Sequence, residues 1–407
     1  MSTTAIQKNK NINLNIRLWR NTLFIVFFIP GFSFASWISR TPEVRDILNA
    51  SNGTMGLIIF GLATGSIIGL ISANRFIVRT GARYITVFSI LLIVLGLLIV
   101  GVGSFIPSKE IIFMGLMIFG IGYGLAQVAI NIEGASLEHK TNKTILPALH
   151  ASFSAGTLSG AGFGSLAIFI HLPITFHLMI ISFLLLITIL LIYKFIPEGT
   201  GKEKGNSDKE IDQSTSKINV WKEQRTLLIG LIVLGMAFAE GSANDWLPLV
   251  FVDGFHVEHA VGTAIFGVFL IGMFIGRISA GGFLDKYGRV PVLRVSSVLA
   301  IIGITLVIFT SNLTIGVIGV FVWGLGASIG FPVGLSASGD DPNGAVARVG
   351  AVSLVGYCAF LVGPPVLGLL GDFVGLVNAL IFVLIFVVLA GSVTNAAKKH
   401  NNPTKNL

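Results

Sequence analysis

The sequence predicts an all-α membrane protein whose twelve transmembrane helices form two pseudo-symmetric six-helix halves. Three observations predict it. First, hydrophobic residues make up 53% of the 407 and charged residues only 11%, whereas a soluble globular chain carries about 25% charged residues. Second, twelve apolar runs of roughly bilayer-spanning length lie near 21–39, 54–74, 84–104, 111–137, 147–170, 174–195, 226–247, 258–284, 290–310, 314–336, 347–370 and 374–395. Third, short motifs recur at one spacing. Gly81 and Gly288 lie 207 residues apart, as do Gly156 and Gly363, and Phe119-Gly-Ile-Gly122 precedes Trp323-Gly-Leu-Gly326 by 204. A duplicated membrane unit leaves this trace.

In chain order, residues 1–20 are polar and basic (Lys8, Lys10, Arg17, Arg20) with no acid, which predicts a cytoplasmic tail before a retained first helix rather than a cleaved signal. Residues 21–196 hold the first six runs and 225–395 the second six. Between them, 197–224 is rich in Lys, Glu, Asp, Ser and Gly, the composition of a flexible linker. Residues 396–407 form a second polar tail. With the N-terminus cytoplasmic, 23 of the 27 Lys and Arg fall on the cytoplasmic side. Arg40, Arg45 and Lys109 lie on the other side, and Arg277 lies inside a run. The positive-inside rule then puts both termini in the cytoplasm of a multi-pass plasma-membrane protein. The net charge of +8 reflects that topology rather than nucleic-acid binding. A single cysteine, Cys358, excludes an intrachain disulfide. No Cys/His spacing, nucleophile elbow or phosphate loop calls for a metal, a cofactor or an enzyme activity. A monomer in the bilayer, with a small-molecule substrate as its partner, is the expectation.

The eighth and ninth runs are joined by Gly281-Gly-Phe-Leu-Asp285-Lys286-Tyr-Gly288-Arg289, with Arg277 one turn upstream. Charges at a membrane-surface turn are costly unless paired. Asp285, Arg277 and Arg289 are therefore expected to form a charge cluster, a latch between moving parts. A weaker copy, Arg79, Gly81 and Arg83, sits at the matching place in the first half. This G-x-x-x-D-K-x-G-R pattern resembles the signature loop of the major facilitator superfamily. The second half is nearly complete, while the first has Val78 in place of the Asp and Asn74 in place of the leading Gly. The resemblance implies the major facilitator fold and secondary transport by alternating access. In the fourth run, Leu-Ala-Gln127-Val-Ala-Ile-Asn131 resembles the fucose–proton symporter branch of that family, which has an acid where Gln127 stands. That resemblance implies a sugar-like solute and proton coupling, with the proton carried elsewhere or not at all.

Polar side chains inside apolar runs need a reason. Glu240, in Gly235-Met-Ala-Phe-Ala-Glu240-Gly-Ser-Ala-Asn244-Asp245-Trp246, lies about 21 Å along its helix at about 1.5 Å per residue, beyond the bilayer middle, and small neighbours leave room for solute or water. It is the leading candidate for a proton carrier, and a structural carboxyl is its bland alternative. Asn244 shares its face, and Asp245 reads as a rim residue. Ser33, Trp37 and Arg40 follow helical spacing on the first run and line either a cavity or the interface; Tyr123, Trp323 and Phe331-Pro332 carry the same ambiguity. Gln127 and Asn131 share a face. Glu133 points elsewhere, with His139, Lys140 or His150 as its expected partner. Gly156, Gly160 and Gly164 form a small-residue ridge. Drug antiporters of the superfamily carry a Gly-Pro in that helix and an Arg in the fourth; here Thr157 follows Gly156 and 111–139 contain no Arg. The expectation is a proton-coupled symporter of a sugar or related metabolite. Efflux of a small hydrophobic compound is the alternative, and a transport-inactive sensor is further off.

Overall fold

The computed structural model describes residues 3–141, 145–202, 220–341 and 344–399. Most of the expected linker at 197–224, the end of the 396–407 tail and the first two residues of the 1–20 tail lie outside the described residues. Fourteen α-helices follow in order among them: α1 (Thr3–Ile38), α2 (Thr41–Ile47), α3 (Asn52–Thr80), α4 (Ala82–Phe105), α5 (Lys109–Thr141), α6 (Leu146–Phe169), α7 (Ile174–Ile192), α8 (Gln224–Phe255), α9 (His259–Tyr287), α10 (Arg289–Phe309), α11 (Leu313–Ala327), α12 (Gly330–Ser338), α13 (Ala345–Val374) and α14 (Leu376–Ser392). No strand occurs among the described residues. Ten stretches are long and apolar enough to cross a membrane, and Leu376–Ser392 is a shorter apolar helix. With α6, they account for all twelve runs.

Three local features depart from the simple twelve-run reading. The basic tail is helical, since α1 starts at Thr3, and the candidate span within that helix is Asn15–Ile38. The short α2 follows α1 after a break, with Pro42 in its first turn, where the missing N–H would have no helical partner anyway. The tenth run divides into α11 and α12 around Ser328 and Ile329. Pro332 explains the division: it has no N–H to give the Ser328 carbonyl four residues earlier, so the helical ladder loses a rung there.

The chain divides into two compact units, Met1–Asn49 with Ile58–Asp208, and Ala50–Leu57 with Lys209–Leu407. In the first, α1 meets α6 along the predicted ridge. Gly156 and Gly160 face the backbone carbonyls of Phe28 and Phe32 so closely that a Cβ would collide, which is how small residues let membrane helices approach. In the second unit the first turns of α3 group with α13, where the Gly53 N–H donates to Asp372 Oδ2 at 2.9 Å. Each half makes its second loop the same way. Gly81 has φ +95° and Gly288 φ +77°, a region that side-chain-bearing residues avoid, and a new helix starts at the next residue. Gly281, the leading glycine of the second-half motif, has open space around the place where its Cβ would be.

Candidate functional site

The broken tenth crossing creates the first element of the site. The Ser328 carbonyl, left without a helical donor by Pro332, accepts from Arg277 Nε at 3.2 Å. The same guanidinium donates through Nη2 to Glu240 Oε1 at 2.8 Å. Arg277 on α9 thus ties α8 to the break between α11 and α12. The side chain of Glu240 is 16% exposed and that of Arg277 39%, so the pair lies at the edge of the packed interior. A carboxylate there is tolerable because it is paired. The small neighbours of Glu240 do not leave an open space. Ala237, Ala239 and Ala243 are buried, and Gly241 packs against the Phe360 ring. Asn244 is half-buried. Asp245, expected at the rim, is buried at 8% exposure with no hydrogen bond or ion pair among the described residues. Trp323 is fully buried, edge-on to Phe269 at 5.7 Å.

The charges of the second-half loop meet a different carboxylate from the one expected. Asp285 is exposed and makes no ion pair among the described residues, so the predicted cluster of Asp285, Arg277 and Arg289 is not formed. The cause is the turn itself: the left-handed Gly288 ends α9 and starts α10 at Arg289, which therefore does not continue the face that carries Asp285. Arg289 Nη1 donates instead to Asp340 Oδ1 at 2.6 Å, and its Nη2 to Ser336 Oγ at 3.0 Å. The other oxygen of Asp340 accepts from Arg225 Nη2 at 2.9 Å. Arg225 also donates to the carbonyls of Ala396 and Lys398. Asp340, at 7% side-chain exposure, joins the starts of α8 and α10 to the end of α12. Lys286 instead stacks over Tyr287, 5.1 Å from the ring centre. Nearby, Arg348 grips Glu223 with two donors, Nε to Oε2 at 2.6 Å and Nη2 to Oε1 at 3.0 Å, which lowers the proton affinity of Glu223.

Asp340 was not singled out from the sequence, yet a signal existed. It lies 207 residues after Glu133, the same offset as the two loop glycines. Glu133 lies in the last third of the fourth crossing and Asp340 just past the end of the tenth. Its partner is none of the three expected. Trp19 Nε1, on α1, donates to Glu133 Oε2 at 3.1 Å, and Lys140 lies over the Trp19 ring at 5.8 Å. In the first-half loop, Arg83 pairs with Glu198 at 2.7 Å, while Arg79 is exposed without an ion pair among the described residues.

The remaining first-half candidates fall into two groups. Ser33, Trp37 and Arg40 share a face as their spacing implies, but the face turns into the protein, and all three are fully buried. Ser33 Oγ donates to the Ile29 carbonyl at 2.6 Å. Arg40 Nη2 meets Glu43 at 3.0 Å and also donates to the Leu172 carbonyl. Gln127 and Asn131 are half-buried. Asn131 Nδ2 donates to the Gln127 carbonyl at 2.6 Å, and Asn131 Oδ1 lies 3.0 Å from His150 Nε2. The two thus form an uncharged polar strip.

The family model described as Major Facilitator Superfamily matches residues 147–347 and 255–406. An uncharacterised MFS-type transporter of Yersinia pestis is 23% identical over 351 residues, covering 86% of this chain and 88% of its own. Among solved structures, a mutant of the nucleoside transporter NupG superposes with a TM-score of 0.74 at 17% identity, over 94% of this chain and 100% of that one. The fucose:proton symporter FucP of E. coli superposes with a TM-score of 0.61 at 15% identity, over 93% and 98%. The chain belongs to the Major Facilitator Superfamily.

Proposed function

We propose that this secondary transporter moves a small polar solute, a sugar or related metabolite, in symport with a proton by alternating access, with both termini cytoplasmic. The observation that carries the proton part is the Glu240–Arg277 pair inside an apolar crossing. Protonation of Glu240 would free Arg277 from its carboxylate and leave it on the Ser328 carbonyl at the break between α11 and α12. A solute hydroxyl could then compete for the released donor, which couples the two binding events reciprocally. Asp245, buried without a partner among the described residues, is the second carboxyl available to such a relay. The polar strip of Gln127 and Asn131 suits an uncharged solute with several hydroxyl groups. Fucose and nucleosides, the solutes named for two solved proteins of similar fold, are of that kind.

The test is counterflow in proteoliposomes with radiolabelled sugars and nucleosides. The proposal predicts saturable exchange of one polyhydroxylated class, and uphill uptake under an inward proton gradient. Exchange confined to hydrophobic compounds would favour efflux instead, and absence of exchange with every class would contradict transport of this kind.

A further inference from the structure

The end of the second unit that carries the basic loops holds a cavity of about 1010 Å³ between the last turns of α9, the start of α10, α12 and the segment after α14. Five cations line it: Arg277, Arg289, Arg294, Lys398 and Lys399. Two already have carboxylates, Arg277 in Glu240 and Arg289 in Asp340. Among the described residues the other three do not. Arg294 donates only to the Asn395 side-chain oxygen at 2.8 Å, and Lys398 and Lys399 are exposed without an ion pair among the described residues. Asp285, the one acid in the wall, offsets a single charge. Among the described residues, the cavity therefore keeps an excess of positive charge.

Beside it runs a groove of about 490 Å³ that shares Ala280, Tyr287, Pro291 and Ile329 with the basic cavity. Its wall is nearly all apolar, with Phe283, Val292, Val295, Leu299 and Leu325 among its residues. Phe283 and Val295 are more than half exposed. Both belong to candidate membrane spans, so this groove opens to lipid chains rather than water. A basic chamber at a membrane interface, continuous with an apolar slot along the helices, matches one class of ligand in both charge and polarity: an amphiphile with an anionic head. Basic pockets between crossings on the cytoplasmic side recognise anionic headgroups in this way.

We propose that this cavity and groove bind one anionic phospholipid, its phosphate among Arg294, Lys398 and Lys399 and an acyl chain along Phe283, Val295 and Leu299. Bound there, the lipid spans the start of α10 and the segment after α14, next to Asp340. The site is independent of the transported solute. The test is native mass spectrometry of the full chain released from detergent containing equal phosphatidylglycerol and phosphatidylcholine. The wild type should retain one phosphatidylglycerol in preference. Lys398→Gln/Lys399→Gln, which touches exposed side chains only, should lose preference by about fivefold per cation removed, and adding Arg294→Gln should lower it further. Glycerol 3-phosphate and inorganic phosphate, at concentrations equal to the lipid, should not displace it. Unchanged preference in the triple variant would overturn the assignment. Displacement by either soluble anion would also overturn it, because the chamber would then take free anions and the groove would contribute nothing.

Discussion

At the scale of residues, Glu240 was legible because a carboxyl inside an apolar run is costly and must have a reason. Its partner was not legible. Arg277 was assigned to the loop charges that follow it on its own helix, whereas it reaches across to α8 and to a carbonyl exposed by Pro332. Sequence carries the cost of a buried charge, but not the rotamer that relieves it. The same limit applies to the partner of Arg289, which is Asp340 and not Asp285, although the internal repeat could have found Asp340 through Glu133. Asp340→Asn should remove charge from two arginine contacts at once and lower stability by about 1–3 kcal/mol, read as a fall in the melting temperature of the purified protein. Asp285→Asn should leave it unchanged. Equal shifts for the two variants would contradict the assignment. Arg277→Lys keeps the charge, but one ammonium cannot reproduce the planar fork that holds Glu240 and the Ser328 carbonyl together. It should slow transport while Arg277→Gln abolishes uphill accumulation, and full activity in the lysine variant would show that the fork is dispensable.

At the scale of elements, the place of each crossing was readable though its length was not always so, because an apolar run of about twenty residues has few alternatives in lipid. The break between α11 and α12 was only half readable: Phe331-Pro332 stood out, but the freed Ser328 carbonyl shows only once Arg277 is seen on it. Pro332→Ala restores an N–H that can bond Ser328 and compete with Arg277. It should raise the melting temperature and lower transport, and a rise in both would contradict a role for the break. The start of α8 offers a pH test. Arg348 hydrogen bonds hold Glu223 below its ordinary carboxylate range. A depressed folded-state value contributes stability that is complete above the unfolded value of 4.5 and is lost as pH falls through the folded value. The melting temperature should therefore drop as acid is added below about pH 4.5, and Arg348→Gln should flatten that part of the profile. An identical acid limb in the variant would rule the pair out as its source.

At the scale of the whole molecule, the duplication was readable from three short echoes, and the structure places the two loop glycines in the same left-handed turn. The face presented by Ser33, Trp37 and Arg40 was misleading at this scale, since helical spacing shows which residues share a face but not what covers it. The proposal of proton-coupled movement of a solute rests on membership of a transporter superfamily and on the paired carboxylate inside a crossing. Topology is the first requirement. A cysteine placed within 203–215 of a Cys358→Ser chain should react with an impermeant reagent only after the cytoplasmic face is opened, and reaction in intact cells would reverse the orientation. The most direct test of coupling uses Glu240→Gln, which keeps the shape of the side chain and removes its charge. Proton-driven uptake and equilibrium exchange should be measured in the same proteoliposomes from about pH 5.5 to 8. The account predicts that the variant still exchanges solute but no longer accumulates it uphill, and that its exchange loses pH dependence. Uphill accumulation with wild-type pH dependence would show that Glu240 is a structural carboxyl and that the proton, if one is moved, travels by another route.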